Sequence, residues 1–238
     1  MKITIQHSDD RGVSEYQWLQ SKHSFSFANY YNPEKMGFGL LRVLNEDIVE
    51  PGKGFGMHHH NNMEIVSIVI KGTLEHRDSL GNHGVIPAGE IQRISAGTGI
   101  THSEVNNSSS EQVHFLQIWI QPLNMNVKPS YEQKSFRNQL KKNKLTKVVS
   151  WLKSDKTIHI NQETQFFIGT FDKNKMINYK PNNKEHGIYI FVIKGCISID
   201  SRKLMIGDAA EIIETKRFGI KTNENTEILM IEVPLYLK

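Results

Sequence analysis

The sequence has one cysteine, Cys196, among its 238 residues. A single cysteine excludes an intrachain disulfide and any metal site built from several thiolates. The chain also lacks a run of about 18 consecutive apolar residues, and its first residues lack the basic-then-apolar pattern of a secretion signal. We therefore expect neither a membrane-spanning helix nor secretion, and a location in the reducing cytoplasm.

A strong charge of one sign is also missing, since the formal net charge is only +4. Much of the excess lies in residues 128–156, which lack the interleaved aromatic and glycine residues of an RNA-binding sheet and any recognisable DNA-reading motif. Lysine-rich runs are usually solvated surface. We interpret this segment as a basic linker and expect no direct nucleic-acid partner.

Short runs of β-forming residues, separated by turn signals, occupy most of the chain, as in EIVSIVIKG and GIYIFVIKG. This spacing is typical of an antiparallel sandwich or barrel. Hydrophobic residues make up 38% of the chain, enough to fill a core. Helical periodicity is confined mainly to residues 131–145, so the sequence predicts an all-β fold with a short helical linker.

One segment of the sequence recurs in the second half. Residues 69–72, Val-Ile-Lys-Gly, return 123 residues later at 192–195, and a Gly-acid turn follows in each half. A chance match between two hairpins is the alternative, but the order and spacing favour duplication of one unit. We expect two domains, comprising residues 1–135 and 136–238.

A histidine run carries the clearest chemical signal. Residues two apart in a β-strand point to the same face, about 7 Å apart, so His58 and His60 can share a metal ion while His59 faces away. In a chain with 11 histidines such a pair alone is weak. A second pair with this spacing, His102 and Glu104, lies further along the chain.

The surrounding residues make the signal specific. The glycines, prolines and acids around His58 and His60 resemble the two signature motifs of the cupin barrel, but Gln92 stands where an ordinary cupin has its last histidine. Residues 54–104, with HSFSFANYYNPEKMGFGLLRVLNED before them and QIWIQP after them, are similar to the pirin family. This resemblance implies two tandem cupin barrels, that is, double-stranded β-helix or jelly-roll folds.

The resemblance also implies a mononuclear metal site made by His58, His60, His102 and Glu104. Imidazole and carboxylate ligands suit Fe(II), which we expect first, and also Ni, Mn, Co, Cu or Zn. Pirins usually carry His-Pro-His, so His59 in place of proline is a departure that could loosen the strand.

The activity implied by the resemblance is that of a quercetin 2,3-dioxygenase, which opens a flavonol heterocycle with dioxygen and releases carbon monoxide. In this hypothesis Glu104 binds the metal and accepts the substrate hydroxyl proton. Glu64, the metal-binding glutamate of ordinary cupins, becomes a pocket residue that steers this proton.

Two other classes of function remain open. The resemblance to pirins also allows a non-enzymatic regulator. In such a protein the redox or occupancy state of the metal changes a surface that binds a protein partner. A metal-independent cupin isomerase or sugar-binding barrel would use the same histidines as acid and base groups.

The remaining histidines are given no ligand role. His76 and Asp78 have ligand-like spacing but lead into a turn, which predicts a hairpin on the solvent side. Four more histidines are isolated, and a lone histidine is more often a surface or packed side chain; they are His83, His114, His159 and His186.

The second repeat lacks the ligand types of the first. The positions 123 residues after His58, His60 and Glu64 hold Pro181, Asn183 and Gly187. In the second repeat, the positions equivalent to His102 and Glu104 hold Ile220 and Thr222. We expect a C-terminal barrel without a metal site, with a structural or docking role.

Overall fold

The computed structural model describes residues 1–236 of the chain. Within this range the chain forms 22 β-strands and one 3₁₀ turn at Ser8–Asp10, and no α-helix. No helix in the described range is long and apolar enough to cross a membrane. The first twelve strands are β1 (Lys2–Gln6), β2 (Gly12–Tyr16), β3 (Leu19–His23), β4 (Leu41–Val49), β5 (Gly54–His60), β6 (Glu64–Lys71), β7 (Thr73–Asp78), β8 (His83–Pro87), β9 (Glu90–Ser95), β10 (Ile100–Asn106), β11 (Val113–Ile120) and β12 (Ser130–Ser135).

The strands of the second half are shorter on average but follow the same order of hairpins. They are β13 (Lys144–Ser150), β14 (Ile158–His159), β15 (Gln165–Phe171), β16 (Met176–Tyr179), β17 (His186–Lys194), β18 (Cys196–Ile199), β19 (Arg202–Met205), β20 (Ala209–Ile213), β21 (Phe218–Thr222) and β22 (Thr226–Pro234).

These strands form two barrels, each made of a seven-stranded and a four-stranded sheet. In the first barrel the sheet β12-β9-β6-β11-β4-β3-β2 packs on β5-β10-β7-β8. In the second, β1-β20-β17-β22-β15-β13-β14 packs on β16-β21-β18-β19. The prediction of two tandem β-barrels is confirmed.

The internal repeat has a structural counterpart. Strand β6 lies between β9 and β11, and β17 lies in the equivalent place between β20 and β22. Each strand is followed by a glycine with positive φ, 78° at Gly72 and 81° at Gly195. A Cβ atom at either glycine would lie within 2.6 Å of a backbone oxygen. Both copies of the Val-Ile-Lys-Gly segment therefore end in a turn that only glycine fits.

The predicted helical linker is wrong. Residues 130–135 form β12, which pairs antiparallel with β9, and residues 144–150 form β13 after a turn. Pairing with an existing sheet edge satisfies the backbone more fully than a short, weakly amphipathic helix would. The basic segment at 128–156 therefore contributes one strand to each seven-stranded sheet and is not a free linker.

The first strand crosses from one half to the other. Strand β1 pairs with β20 in the second barrel, and Ile3 and Ile5 pack against the apolar interior of that barrel. The chain then returns at β2 to build the first barrel. Sequence order and barrel membership thus differ at the N-terminus, where the expected boundaries had assigned residues 1–135 to one domain.

The two seven-stranded sheets pack back to back. Val66 and Ile68 of β6 lie in one buried cluster with Phe191 and Leu229 of the second half. The alternate residues of β6 face the interior of the first barrel, as strand geometry requires. The second barrel is filled by apolar side chains such as Ile197, whereas the first keeps an open cavity.

Candidate metal centre and its cavity

Three histidines converge inside the first barrel. Strands β5 and β10 are antiparallel neighbours, and their register sets His58 directly opposite His102. One ligand nitrogen from each of His58, His60 and His102 lies within 4.8 Å of the others. The ring centroids are 4.4 Å apart for His58 and His102 and 5.0 Å apart for His60 and His102. His59 is exposed and lies outside this group.

The imidazoles are prepared to bind a cation. His102 is 1% exposed, and neither of its ring nitrogens has a hydrogen-bond partner among the described residues. Unpaired buried nitrogens are costly unless a ligand satisfies them. The Nδ1 atom of His58 lies 2.7 Å from the carbonyl oxygen of Gly56; donation by this N–H leaves Nε2 free to bind.

The protonation states also suit metal binding. Burial, reinforced by the neighbouring imidazoles, lowers the pKa of His60 to about 4 and that of His102 to about 3. Both rings are therefore neutral at pH 7, the form in which histidine binds a metal. The donor set fits a divalent metal ion.

Glu104 lines the same cavity but is held by the other sheet. Its Oε1 accepts hydrogen bonds from Ser67 Oγ at 2.8 Å and Gln92 Nε2 at 2.5 Å, and its Oε2 accepts one from Gln117 Nε2 at 2.5 Å. Its carboxylate oxygens are not part of the close histidine group. Gln92, at the usual place of a cupin's last histidine, instead orients this carboxylate. The replacement of the usual cupin histidine by Gln92 was the sequence signal for the role of Gln92.

The structure does not bring Glu64 to the cavity. This glutamate is 1% exposed and lies on the face of β6 opposite Ser67. Its Oε2 accepts hydrogen bonds from Ser95 Oγ at 2.8 Å and from the backbone N–H of Asn161 at 3.2 Å. Because Asn161 belongs to the second half, Glu64 joins the two halves. The expected proton-steering role at the pocket has no support in this position.

The solvent-side prediction for His76 and Asp78 is wrong. Their side chains are fully buried and paired, with His76 Nε2 3.0 Å from Asp78 Oδ2. The His76 ring stacks on Tyr131 and lies 5.4 Å from the His102 ring. The turn that follows is exposed, but β7 itself packs beneath β12 residues that are distant in sequence. The pair supports the wall behind His102.

Two of the remaining histidines, His114 and His186, pair with carboxylates away from this centre. His114 Nε2 is 3.1 Å from Glu46, and His186 Nδ1 is 3.2 Å from Glu232. Neither residue lines the cavity of the first barrel.

A cavity of about 440 Å³ opens in front of the three histidines. Small-molecule sites typically measure ~300–1,000 Å³, so this volume suits an organic ligand. Its walls are largely aromatic, and the Trp119 ring packs edge-on against His60 with centroids 4.8 Å apart. The aromatic lining consists of Tyr16, Trp18, Phe27, Phe55 and Trp119.

The chain matches known proteins along nearly its whole length. A pirin family model matches residues 5–120, and a model described as the quercetinase C-terminal cupin domain matches residues 147–233. Proteins named quercetin 2,3-dioxygenase from Escherichia coli O157:H7 and Escherichia coli strain K12 are each 39% identical over 232 residues, which cover 98% of this chain and 99% of the relative. The chain belongs to the pirin family.

A solved structure extends the comparison to this pirin's fold. The crystal structure of the bacterial pirin YhhW from Escherichia coli in complex with nickel(II) has a TM-score of 0.93 and 38% sequence identity. It covers 98% of this chain and 99% of that chain. The same family that the sequence motifs resembled therefore also has this two-barrel architecture.

Proposed function

We propose that this pirin is a metal-dependent dioxygenase that cleaves flavonols such as quercetin. The observation that carries the proposal is a cluster of three converging imidazoles at one wall of an aromatic cavity large enough for a flat organic ligand. Relatives named quercetin 2,3-dioxygenase, similar along nearly the whole chain, support it.

His58, His60 and His102 would hold the ion, with Glu104 as the fourth ligand. Fe(II) is the expected metal, and Ni, Mn, Co, Cu and Zn suit the same donors. When bound, the ion supplies a Lewis acid that polarises a substrate oxygen and a centre at which substrate and dioxygen meet. The nickel(II) complex of YhhW supports a divalent metal in this fold.

The chain's own residues position the reactants. Trp119 packs against His60, limits the movement of this ring and offers a flat surface to an aromatic substrate. Gln92 and Gln117 hold the Glu104 carboxylate toward the cavity, where it can accept the proton of a substrate hydroxyl. The apolar walls exclude water and restrict the substrate to orientations close to the reactive one.

Oxygen uptake with quercetin tests this function directly. The metal-free chain would be loaded anaerobically with each divalent metal in turn, and metal content would be measured before oxygen is admitted. We expect oxygen consumption and carbon monoxide release with at least one metal. Absence of turnover with every metal at a fully loaded site would overturn the enzymatic function.

A regulator that signals by metal occupancy would use the same four ligands. A plugged barrel would favour that function, because signalling requires no room for a substrate. The open aromatic cavity favours catalysis.

A further inference from the structure

The cavity has a second polar wall, which the metal ligands do not use. Strands β2, β3 and β4 face the interior opposite β5 and β10 and contribute a group of hydrogen-bonding side chains. We call this group the hydroxyl wall; its members are Ser14, Ser21, His23, Asn45 and Asp47.

Asp47 is the exceptional member of the hydroxyl wall. It is 3% exposed, and the hydroxyl of Ser21 donates to its Oδ1. Among the described residues no other side chain or backbone group is hydrogen-bonded to this carboxylate, and no Lys, Arg or His forms an ion pair with it. The nearby Arg11 guanidinium is instead engaged by Glu46 and the carbonyl oxygen of Lys22. A buried carboxylate with one donor is costly, and a ligand donor would offset that cost.

The rest of the hydroxyl wall is arranged around a neutral histidine. His23 Nδ1 lies 2.9 Å from Asn45 Oδ1 and its Nε2 lies 2.8 Å from Ser14 Oγ. Donation from Nδ1 to Asn45 leaves Nε2 to accept from Ser14. Burial lowers the pKa of His23, which keeps the ring neutral. This series of hydrogen bonds holds the hydroxyl wall in place beside Asp47 without neutralising its carboxylate.

We propose that Asp47, oriented by Ser21, binds a second hydroxyl group of the aromatic substrate, on the wall opposite the metal ligands. This assignment rests on the proposed function, because it takes the occupant of the cavity to be aromatic. The selected class is an aromatic ring system with a metal-facing oxygen group and a further phenolic hydroxyl elsewhere.

A phenolic O–H donated to a carboxylate forms a charge-assisted hydrogen bond, stronger than one between neutral groups. Substrates without this hydroxyl leave Asp47 with Ser21 as its one donor in a largely apolar cavity, and sites of this kind discriminate strongly. Burial raises the pKa of Asp47 to about 7, opposed by the hydrogen bond from Ser21.

The test compares two ligands that share the metal-facing group and differ in their other hydroxyls. Quercetin and 3-hydroxyflavone share the three-ring skeleton and the 3-hydroxy-4-keto group, but 3-hydroxyflavone has no hydroxyls on its outer rings. Binding to the nickel-loaded chain would be measured without oxygen, by quenching of the cavity tryptophans Trp18 and Trp119. We expect the wild type to bind quercetin roughly 10- to 100-fold more tightly.

Substitution of Asp47 should remove this preference. We expect Asp47→Ala to lose at least about 10-fold in quercetin affinity while 3-hydroxyflavone binding stays within about 2-fold. Asp47→Asn keeps the shape of the side chain, and its quercetin affinity should fall between those of the wild type and Asp47→Ala. The control is Glu34→Gln, at an exposed site. Metal content and circular dichroism establish that each variant is folded and loaded.

Several outcomes would overturn the assignment. These are equal binding of the two ligands by the wild type, an equal loss of both in the Asp47 variants, and no binding of either ligand. The wild-type comparison alone decides the matter if the variants do not fold. Because binding is measured without turnover, an Asp47-dependent preference with no oxygen uptake would remove the proposed activity and leave this subsite. Turnover without such a preference would do the reverse.

Discussion

At the scale of single residues, the protonation and pairing of each side chain decide what it can do. His102 is a strong ligand candidate because it is buried, neutral and without a hydrogen-bond partner among residues 1–236, whereas His59 on the neighbouring strand is exposed. The same imidazole group thus has opposite prospects on the two faces of this strand pair.

This contrast predicts the effect of removing each histidine. His102→Ala should reduce affinity for a divalent metal by more than roughly 100-fold, because one of three converging nitrogens is lost. His59→Ala should retain one metal per chain. Metal content after dialysis against a chelator measures both, and equal loss in the two variants would contradict the assignment of the ligands.

A second residue-scale prediction concerns stability and pH. Burial alone would raise the pKa of Glu46, but hydrogen bonds and charges from His114 and Arg11 outweigh it and lower the pKa from 4.5 to about 2. The resulting stabilisation is present above the unfolded pKa of 4.5 and is lost as the pH falls through about 2.

Glu46→Gln should therefore lower the free energy of unfolding by about 3 kcal/mol at pH 7 and by less than half of that at pH 3. Urea denaturation at the two pH values measures the difference. The exposed Glu34→Gln serves as control and should change stability by no more than about 0.5 kcal/mol. A loss for Glu46→Gln that is as large at pH 3 as at pH 7 would argue against the ionic role.

At the scale of elements, the metal centre depends on how closely β5 and β10 approach. A Cβ atom on Gly54 would lie 2.3 Å from the carbonyl oxygen of Glu104 and 2.5 Å from the Cα atom of Val105. At Gly56, two residues along the same strand, a Cβ atom would meet nothing within 4 Å. The two glycines thus provide a matched pair.

Gly54→Ala should push the strands apart, since backbone atoms cannot rotate out of the way. We expect a loss of about 1–3 kcal/mol in stability and a weaker metal site, because His58 and His102 face each other across this pair. Gly56→Ala should leave both within error. Thermal unfolding and metal titration of the two variants provide the comparison, and equal behaviour would refute the packing argument.

The success of sequence reasoning also divides at the scale of elements. Strand parity is local, so the separation of His58 and His60 from His59 could be predicted from residue spacing alone. The burial of His76 could not, because it depends on Tyr131 of β12 packing over β7 from more than fifty residues away. The residues of β12 carried a weak helical pattern, and pairing with β9 overrode it.

Asp47 was missed for a related reason. The apolar residues of its segment, Leu41–Val49, indicate a strand without marking which side chain faces a cavity. The proximity of Ser21, from another strand, gives Asp47 its significance. Such contacts follow from sheet order, and a single sequence does not specify sheet order.

At the scale of the whole molecule, the back-to-back sheets make the second barrel a support for the first. Glu64 and Arg93 of the first half reach the second half by hydrogen bonds, Arg93 Nε donating to the carbonyl oxygen of His159 at 2.8 Å. Together with the shared apolar cluster, these contacts favour a single cooperative unfolding transition.

The position of Glu64 predicts a loss of stability that spares the metal site. Glu64→Ala leaves Ser95 Oγ and the Asn161 N–H without their acceptor, at a cost of about 1–3 kcal/mol, or a decrease of roughly 3–10 °C in Tm for a chain of this size. Glu64→Gln keeps an acceptor oxygen and should lose less. Calorimetry with metal analysis should find one transition, shifted in this order, and one metal ion per chain in both variants. Loss of metal with an unchanged Tm would indicate that Glu64 acts at the cavity and would contradict its place between the halves.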